Sequence, residues 1–297
     1  MGTKTKQILL PLLAAMIWGS AFVAQKSGSE HLGALTFTWT RYLLAAVAIA
    51  CFLLVRWKNG GKKPFSEQKG VLLRGGLTMG TVLMIASNLQ QYGVGLTTAG
   101  KAGFITALYI VLVPLFGLFL HKRVRGIVWC GVAVAVAGLY FLSFAKGGEL
   151  MFTAGDGCVL LCAVVFSVHI LTIDHFTKLA DAVELSCLQF TVAAAESMII
   201  GLIMEGFSPE AVLSCAFPIF YAGVISGGIA YTLQIVAQKD GDPTVVSLLL
   251  SLESLFAVLS GALILQERLS AREYLGCALM LCAVLLVQLP EKKAAAS

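Results

Sequence analysis

Charge is what this sequence has least of. Only 12% of its 297 residues are Asp, Glu, Lys or Arg and 58% are hydrophobic, where a soluble domain carries roughly a quarter charged residues. That balance excludes a soluble globule. No glycine-rich loop ending in Lys-Ser or Lys-Thr occurs, so the chain brings no phosphate cradle for ATP. Intramembrane aspartyl proteolysis needs two facing carboxylates, supplied by Tyr-Asp and Gly-x-Gly-Asp motifs. There is no Tyr-Asp here, and "KDGDP" (239–243) has Lys where the first Gly belongs. An intramembrane enzyme is therefore the remote alternative, and no enzymatic activity is expected. The eight cysteines (51, 130, 158, 162, 187, 215, 277, 282) lie in or beside apolar runs, away from the exposed loops that disulfides staple, and read as free thiols. Cys158 and Cys162 are one helical turn apart, but no His or carboxylate completes a four-ligand zinc set. Neither metal nor cofactor is expected.

What is present is apolar sequence in long runs. A hydrocarbon core of about 30 Å takes about 20 helical residues to cross. Ten such runs are predicted, at about 8–26, 34–56, 71–93, 99–120, 126–145, 154–173, 182–204, 214–236, 243–266 and 272–289. Barrel strands would alternate polar and apolar residues; "CGVAVAVAGLYFL" (130–142) does not. The first run follows Lys4 and Lys6 in the manner of a signal sequence, but the chain re-enters the membrane at once, so it reads as an uncleaved first helix. With the N-terminus inside, fifteen of the twenty-one Lys and Arg fall in inner segments. This bias predicts a cytoplasmic-membrane protein with both termini cytoplasmic. The net charge of +5 is then a topology signal and points to no nucleic-acid partner.

The two halves carry one pattern twice. "GALTFTWTRYLLAAVAIACFLLV" (33–55) lies over "DAVELSCLQFTVAAAESMIIGLI" (181–203). "HKRVRGIVWCGVAVAVAG" (121–138) lies over "QERLSAREYLGCALMLCA" (266–283), pairing Arg123 with Arg268 and Gly131 with Gly276. The expectation is an all-α integral membrane fold of ten transmembrane helices, built as two five-helix repeats over 8–145 and 154–289. Five is odd, so the second copy enters from the opposite side. Accordingly, the segment around the loop after the second run, Arg56 to Arg74, carries six Lys and Arg, while its counterpart "EGFSPEAVL" (205–213) has none. Inverted repeats typically build secondary transporters, with the substrate near the midplane between the halves.

A charge at the bilayer centre costs at least about 2.5–3.5 kcal/mol on insertion scales, so each one is a candidate working group. Glu253 lies ten residues past Pro243, a predicted helix start, about 15 Å along its helix and near the midplane. Its repeat mate is Leu108, so the fold does not itself demand a carboxylate there. Glu253 is either a proton-exchanging or substrate-binding carboxylate or a hydrogen-bonded lock between helices. Arg41, mated to Gln189, snorkels outward, pairs with a carboxylate, or binds a substrate's acid group; a structural or gating charge is the favoured reading. Glu196 lies nearer the outer third of its helix. Asn88 and Gln91 share a face of the third helix, beside Tyr92, and Tyr231 with Gln234 repeat that spacing on the eighth. The alternative for each is ordinary interhelical hydrogen bonding. Trp18, Tyr109 and His169 add aromatic and imidazole candidates, each with a packing alternative. "GGLTMG" (75–80) and "GVISGG" (223–228) carry small-xxx-small spacings for close helix approach, sliding or static.

"AAMIWGSAFVAQK" (14–26), "TRYLLAA" (40–46), "LQQYGVGLTTAGKAGFITALYIVLVP" (89–114) and "LLSLESLFAVLSGALILQERLS" (249–270) resemble the EamA-like branch of the drug/metabolite transporter superfamily, over nearly the whole chain. The resemblance implies ten helices and a central cavity lined mainly by the first four helices of each repeat, with the fifth and tenth peripheral. It also implies export of small metabolites, often amino acids, or of drugs. Two positions depart from the family pattern. Lys122-Arg123 stands where the fourth helix commonly ends in Glu-Arg, as Glu267-Arg268 does in the second copy. Ser254 replaces the proline of the Leu-Glu-Pro pattern that places Glu253. The expected function is export of an amino acid or related metabolite by alternating access, the alternative being multidrug or hydrophobic-cation efflux. The expected partners are a small-molecule substrate, protons and the lipid bilayer.

Overall fold

A computed structural model describes residues 3–97, 99–121, 124–143, 153–239, 241–264 and 271–287. Among them every regular element is helical. In chain order these are α1 (Thr3–Gly28), α2 (Ala34–Lys58), α3 (Lys69–Leu96), α4 (Ala99–Ala107), α5 (Tyr109–Phe119), α6 (Gly126–Ser143), α7 (Ala154–Phe176) and α8 (Ala182–Met204). Then come α9 (Pro209–Ser214), α10 (Ala216–Phe220), a π-helix (Tyr221–Tyr231), α11 (Thr232–Lys239), α12 (Pro243–Leu250), α13 (Glu253–Ile264) and α14 (Ala271–Val287).

Polar residues start the helices where the apolar runs begin. Thr153 and Asp156 form a reciprocal capping box at α7, and the Asp181 carboxylate accepts from the Val183 and Glu184 N–H groups at α8. Asp242 does the same for Thr244 and Val245 ahead of Pro243. The start of α2 has no cap of its own. Glu205, at the end of α8, supplies one from 170 residues away, accepting from Leu35 N at 3.0 Å, Thr36 N at 2.8 Å and Thr36 Oγ1 at 2.7 Å.

Among the described residues seven segments are long and apolar enough to cross a membrane: Thr5–Gly28, Ala34–Lys58, Lys69–Leu96, Ala102–Phe119, Ala154–Phe176, Ala182–Met204 and Ala216–Lys239. The fifth, ninth and tenth predicted runs contain shorter apolar helices, Gly126–Gly138, Pro243–Ala257 and Tyr274–Val287. Three runs expected as unbroken helices are interrupted. The fourth breaks at Leu108, where Val111 N reaches back three residues to Leu108 O at 3.0 Å; Pro114 just beyond leaves the Ile110 carbonyl without its helical donor. The ninth breaks at Ser251–Leu252. Ser247 and Ser251 turn their hydroxyls back on Thr244 O and Leu248 O at 2.8 and 2.7 Å, a competition that bends helices. The eighth widens into a π-helix at its glycine-rich centre, a form that is rare and concentrates at functional sites.

Helices of the two halves pack in exchanged pairs. The α3 helix lies on α7 and α8, while the π-helix lies on α1 and α2. The α1 helix crosses α12 and α13, as α7 crosses α4 and α5; α2 pairs with α8 and α6 with α14. Both glycine motifs are at these crossings. Cβ atoms added at Gly76 and Gly80 would meet Leu188 Cβ and Val192 Cβ of α8 at 2.6 Å, and one at Gly223 would meet the Arg41 carbonyl oxygen of α2 at 2.5 Å. Between the crossings a cavity remains.

Candidate functional site

The cavity is lined from α1 (Trp18, Phe22, Gln25), α2 (Arg41, Tyr42), α3 (Gln90), both sides of the α4–α5 break (Thr106, Tyr109) and α7 (Phe166, His169, Ile170). The opposite wall comes from the π-helix (Ala222, Ser226, Tyr231), α11 (Gln234) and both sides of the α12–α13 break (Leu250, Glu253). Among the described residues, none of α6 or α14 lines it. Nor does α8, an exception to the implied lining by the first four helices of each repeat. Its residues Gln189 and Phe190 stand behind His169 and Tyr42.

The two breaks meet at the cavity. Tyr109 is the first residue of α5 and Glu253 the first of α13, and the Tyr109 hydroxyl donates to Glu253 Oε1 at 3.1 Å across 144 residues of sequence. Glu253 is only 4% exposed. A carboxylate in the first turn of a helix faces the positive end of the helix dipole and its free N–H groups, which is how the chain tolerates a carboxylate at this depth. Beside it, Ser254 Oγ donates to Gly103 O of α4 at 3.0 Å and ties the two broken helices together.

The lining includes an aromatic cluster. Trp18 and Tyr231 have ring centroids 4.6 Å apart, and Trp18 Nε1 donates to the Ser226 carbonyl of the π-helix at 3.3 Å. Tyr231 also packs edge-on against Phe190 at 5.4 Å and His169 at 6.2 Å. His169 Nε2 lies 3.0 Å from Gln189 Oε1. An amide oxygen only accepts, so the imidazole donates there and its Nδ1 is left as an acceptor.

Several polar atoms at the cavity have no partner. Gln25 Oε1, Arg41 Nε, His169 Nδ1 and Gln234 Oε1 are buried without a hydrogen bond. Buried polar groups are nearly always satisfied, so four orphans among the residues that line one cavity are a demand for a polar solute or water. Gln234 otherwise continues a chain inward, its Nε2 donating to Gln238 Oε1 at 3.0 Å and Gln238 Nε2 to Ile170 O at 3.1 Å.

Of the nine residues singled out from sequence, the structure brings seven together here: Trp18, Arg41, Tyr109, His169, Tyr231, Gln234 and Glu253. Asn88 and Gln91 are not among the lining residues. The Asn88 amide donates to Met84 O at 2.9 Å and Ser197 Oγ at 2.8 Å, joining α3 to α8. Gln91 Nε2 donates to the Gln25 backbone at 2.9 Å, and Tyr92 is 56% exposed on the outside of the bundle. The neighbouring Gln90 faces the cavity instead and donates to Thr106 Oγ1 at 3.3 Å. Glu196 accepts from Thr81 Oγ1 at 2.7 Å between α3 and α8, outside the lining. Glu267, Arg268, Lys122 and Arg123 lie outside the described residues. Gln25 had a legible signal, because Trp18, Phe22 and Gln25 recur at the four-and-three spacing of one helix face. Asn88→Ala is expected to destabilise by about 0.6 kcal/mol, the average for one interhelical hydrogen bond in a membrane, and to leave transport within twofold. Thermal melting and solute flux of the same preparation check it.

A bundle of long apolar helices around a buried, partly unsatisfied polar cavity is the arrangement expected of a membrane transporter. The model of the EamA-like transporter family matches residues 5–144 and 153–289, and the chain belongs to that family, as a multi-pass membrane protein. It is 30% identical over 284 residues to an uncharacterized transporter of Archaeoglobus fulgidus, covering 93% of this chain and 84% of that one. It is 26% identical to the uncharacterized inner membrane transporter YedA of Escherichia coli K12, over 95% and 92% of the two chains. A probable terminal-alkyne amino-acid exporter of Streptantibioticus cattleyicolor is 24% identical over 76% of this chain and 74% of its own. One crystal structure superposes with a TM-score of 0.79 over 96% of both chains at 19% identity, a likeness of fold alone.

Proposed function

We propose that the protein exports a small metabolite, an amino acid or related compound, across the cytoplasmic membrane by alternating access. In this reading ten helices form two inverted five-helix repeats with both termini cytoplasmic. The exchanged helix pairs and the family match on either side of residues 145–152 support the repeat. The observation that carries the functional reading is that Arg41 and Glu253 line one cavity whose lining residues carry unpartnered polar atoms. The space between the lining side chains is small. A larger solute enters only if the helix walls part, which alternating access supplies. Glu253 exchanges protons or pairs with the solute's ammonium, and the aromatic cluster and amides hold the rest.

Efflux of a hydrophobic cation is the second reading, favoured by the aromatic cluster beside a carboxylate. Arg41 on the same cavity opposes it, because a guanidinium repels a cation.

Reconstituted protein tests the proposal. Vesicles loaded with an amino-acid mixture should take up labelled amino acid by counterflow, whereas a labelled lipophilic cation should not exchange. Counterflow of the cation alone would replace the first reading with the second. The inverted arrangement has its own expected result. In a background with the eight cysteines replaced, Lys63→Cys on the α2–α3 loop should react with an impermeant maleimide only from the cytoplasmic side, and Glu210→Cys on α9 only from outside. Labelling of both from one face rejects it.

A further inference from the structure

From the geometry around Arg41 we infer that this residue recognises a carboxylate on the transported solute, and that the solute is a zwitterion spanning Arg41 and Glu253. The inference rests on the transport reading of the cavity. Arg41 is 4% exposed, and among the described residues no carboxylate lies within ion-pair distance of it. Its Nε donates to nothing. A buried guanidinium without an anion is among the most expensive groups a protein can hold, and within a membrane-spanning helix it marks a function.

The rest of its surroundings hold the group still without neutralising it. The guanidinium carbon sits 4.8 Å from the Tyr42 ring centroid and 5.5 Å from that of Phe37. Tyr42 is itself fixed, by a hydrogen bond from or to Ser87 Oγ and by its ring against Phe190 at 4.9 Å. The backbone is fixed as well, because the missing side chain of Gly223 lets the π-helix lie directly on the Arg41 carbonyl. A guanidinium held over two aromatic rings at the edge of a cavity is pre-organised for a planar anion, which its fork of donors matches.

The other charge on the cavity decides the kind of anion. Glu253 lines the same space, held by Tyr109, and does not touch Arg41. A basic and an acidic side chain that line one cavity without pairing fit a solute carrying both signs, its carboxylate at Arg41 and its ammonium toward Glu253. A free α-amino acid has that form. A polyamine or lipophilic cation has no group for Arg41, and a simple monocarboxylate has none for Glu253.

The test is a chemical ladder on full-length purified protein: the L-amino acids, their carboxamides and their decarboxylated amines, read as thermal stabilisation and as counterflow. The expected result is that one or more acids bind and that their amides and amines bind at least about tenfold to a hundredfold more weakly, the range for losing hydrogen bonds to a charged group. Arg41→Gln should lower affinity for the acid to that of its amide and leave the amide's affinity within threefold. Arg41→Lys, keeping charge without the planar fork, should fall between. If Arg41→Gln does not fold, the wild-type ladder and Arg41→Lys decide. Amides or amines that bind as tightly as the acid overturn the role of Arg41 while counterflow upholds the transport reading. Equal weakening of all three classes by Arg41→Gln does the same. Absence of binding and counterflow by every compound overturns both.

Discussion

Glu253→Gln is expected to reduce transport by about tenfold to a hundredfold, as for a lost hydrogen bond to a charged group, with a melting temperature close to that of the parent protein. Glutamine keeps the shape, and its amide oxygen still accepts from Tyr109, so the bond between the two broken helices survives. The negative charge and the exchangeable proton are lost. Two arms of one reconstitution separate their roles. If Glu253 carries the proton, the variant keeps counterflow but no longer accumulates solute in response to a pH gradient. If it binds the ammonium, both fall together. A variant that melts normally and transports at the parental rate across pH would remove Glu253 from the mechanism. One that fails to fold would make it a lock between helices.

The second large effect is steric. A Cβ at Gly19 would sit 2.6 Å from the Glu253 carbonyl oxygen, 2.6 Å from Phe256 Cβ and 2.7 Å from Ala257 N. These are mainly backbone atoms, and no rotamer change relieves them. Gly19→Ala therefore has to push α1 away from α13 at the turn that carries Glu253. Overpacking of this kind costs about 1–3 kcal/mol, and the displacement also moves the cavity wall that Trp18 and Glu253 share. Gly19→Val should yield little folded protein. Gly70→Ala is the contrast, since nothing lies within 4 Å of a Cβ there. Removing a glycine from the first turn of α3 should stabilise by up to about 1 kcal/mol. Comparable losses at the two sites would show that the α1–α13 contact does not limit packing.

Much of this site was legible in the one-dimensional chain because lipid makes polar residues conspicuous. Arg41 and Glu253 stand out as charges in apolar runs, and Trp18, Tyr109, His169, Tyr231 and Gln234 stand out as groups that need a reason to be there. Asn88 and Gln91 stood out equally. The amphipathic pattern that tells inside from outside in water carries little information in a membrane, because lipid tails are as apolar as a packed core. Gln90 and Gln91 differ by 100° of helix rotation, and only the packing of α3 on α7 and α8 turns one to the cavity and the other to the Gln25 backbone. The bend before Glu253 was similarly hidden, because a proline announces a break in sequence and hydroxyls that turn back on their own helix do not.

The sequence by itself determined that this is a multi-pass helical membrane protein, where most of its helices begin, and which side chains are too costly in lipid to be incidental. Those follow from composition, length and the price of a charge, all local quantities. Tertiary structure alone decided that Tyr109 and Glu253 meet across 144 residues, that Arg41 faces a cavity with no described carboxylate beside it, and that α8 stands behind the lining while a π-helix forms part of it. These depend on the rotation and approach of helices distant in sequence, which small residues at the crossings permit but do not announce.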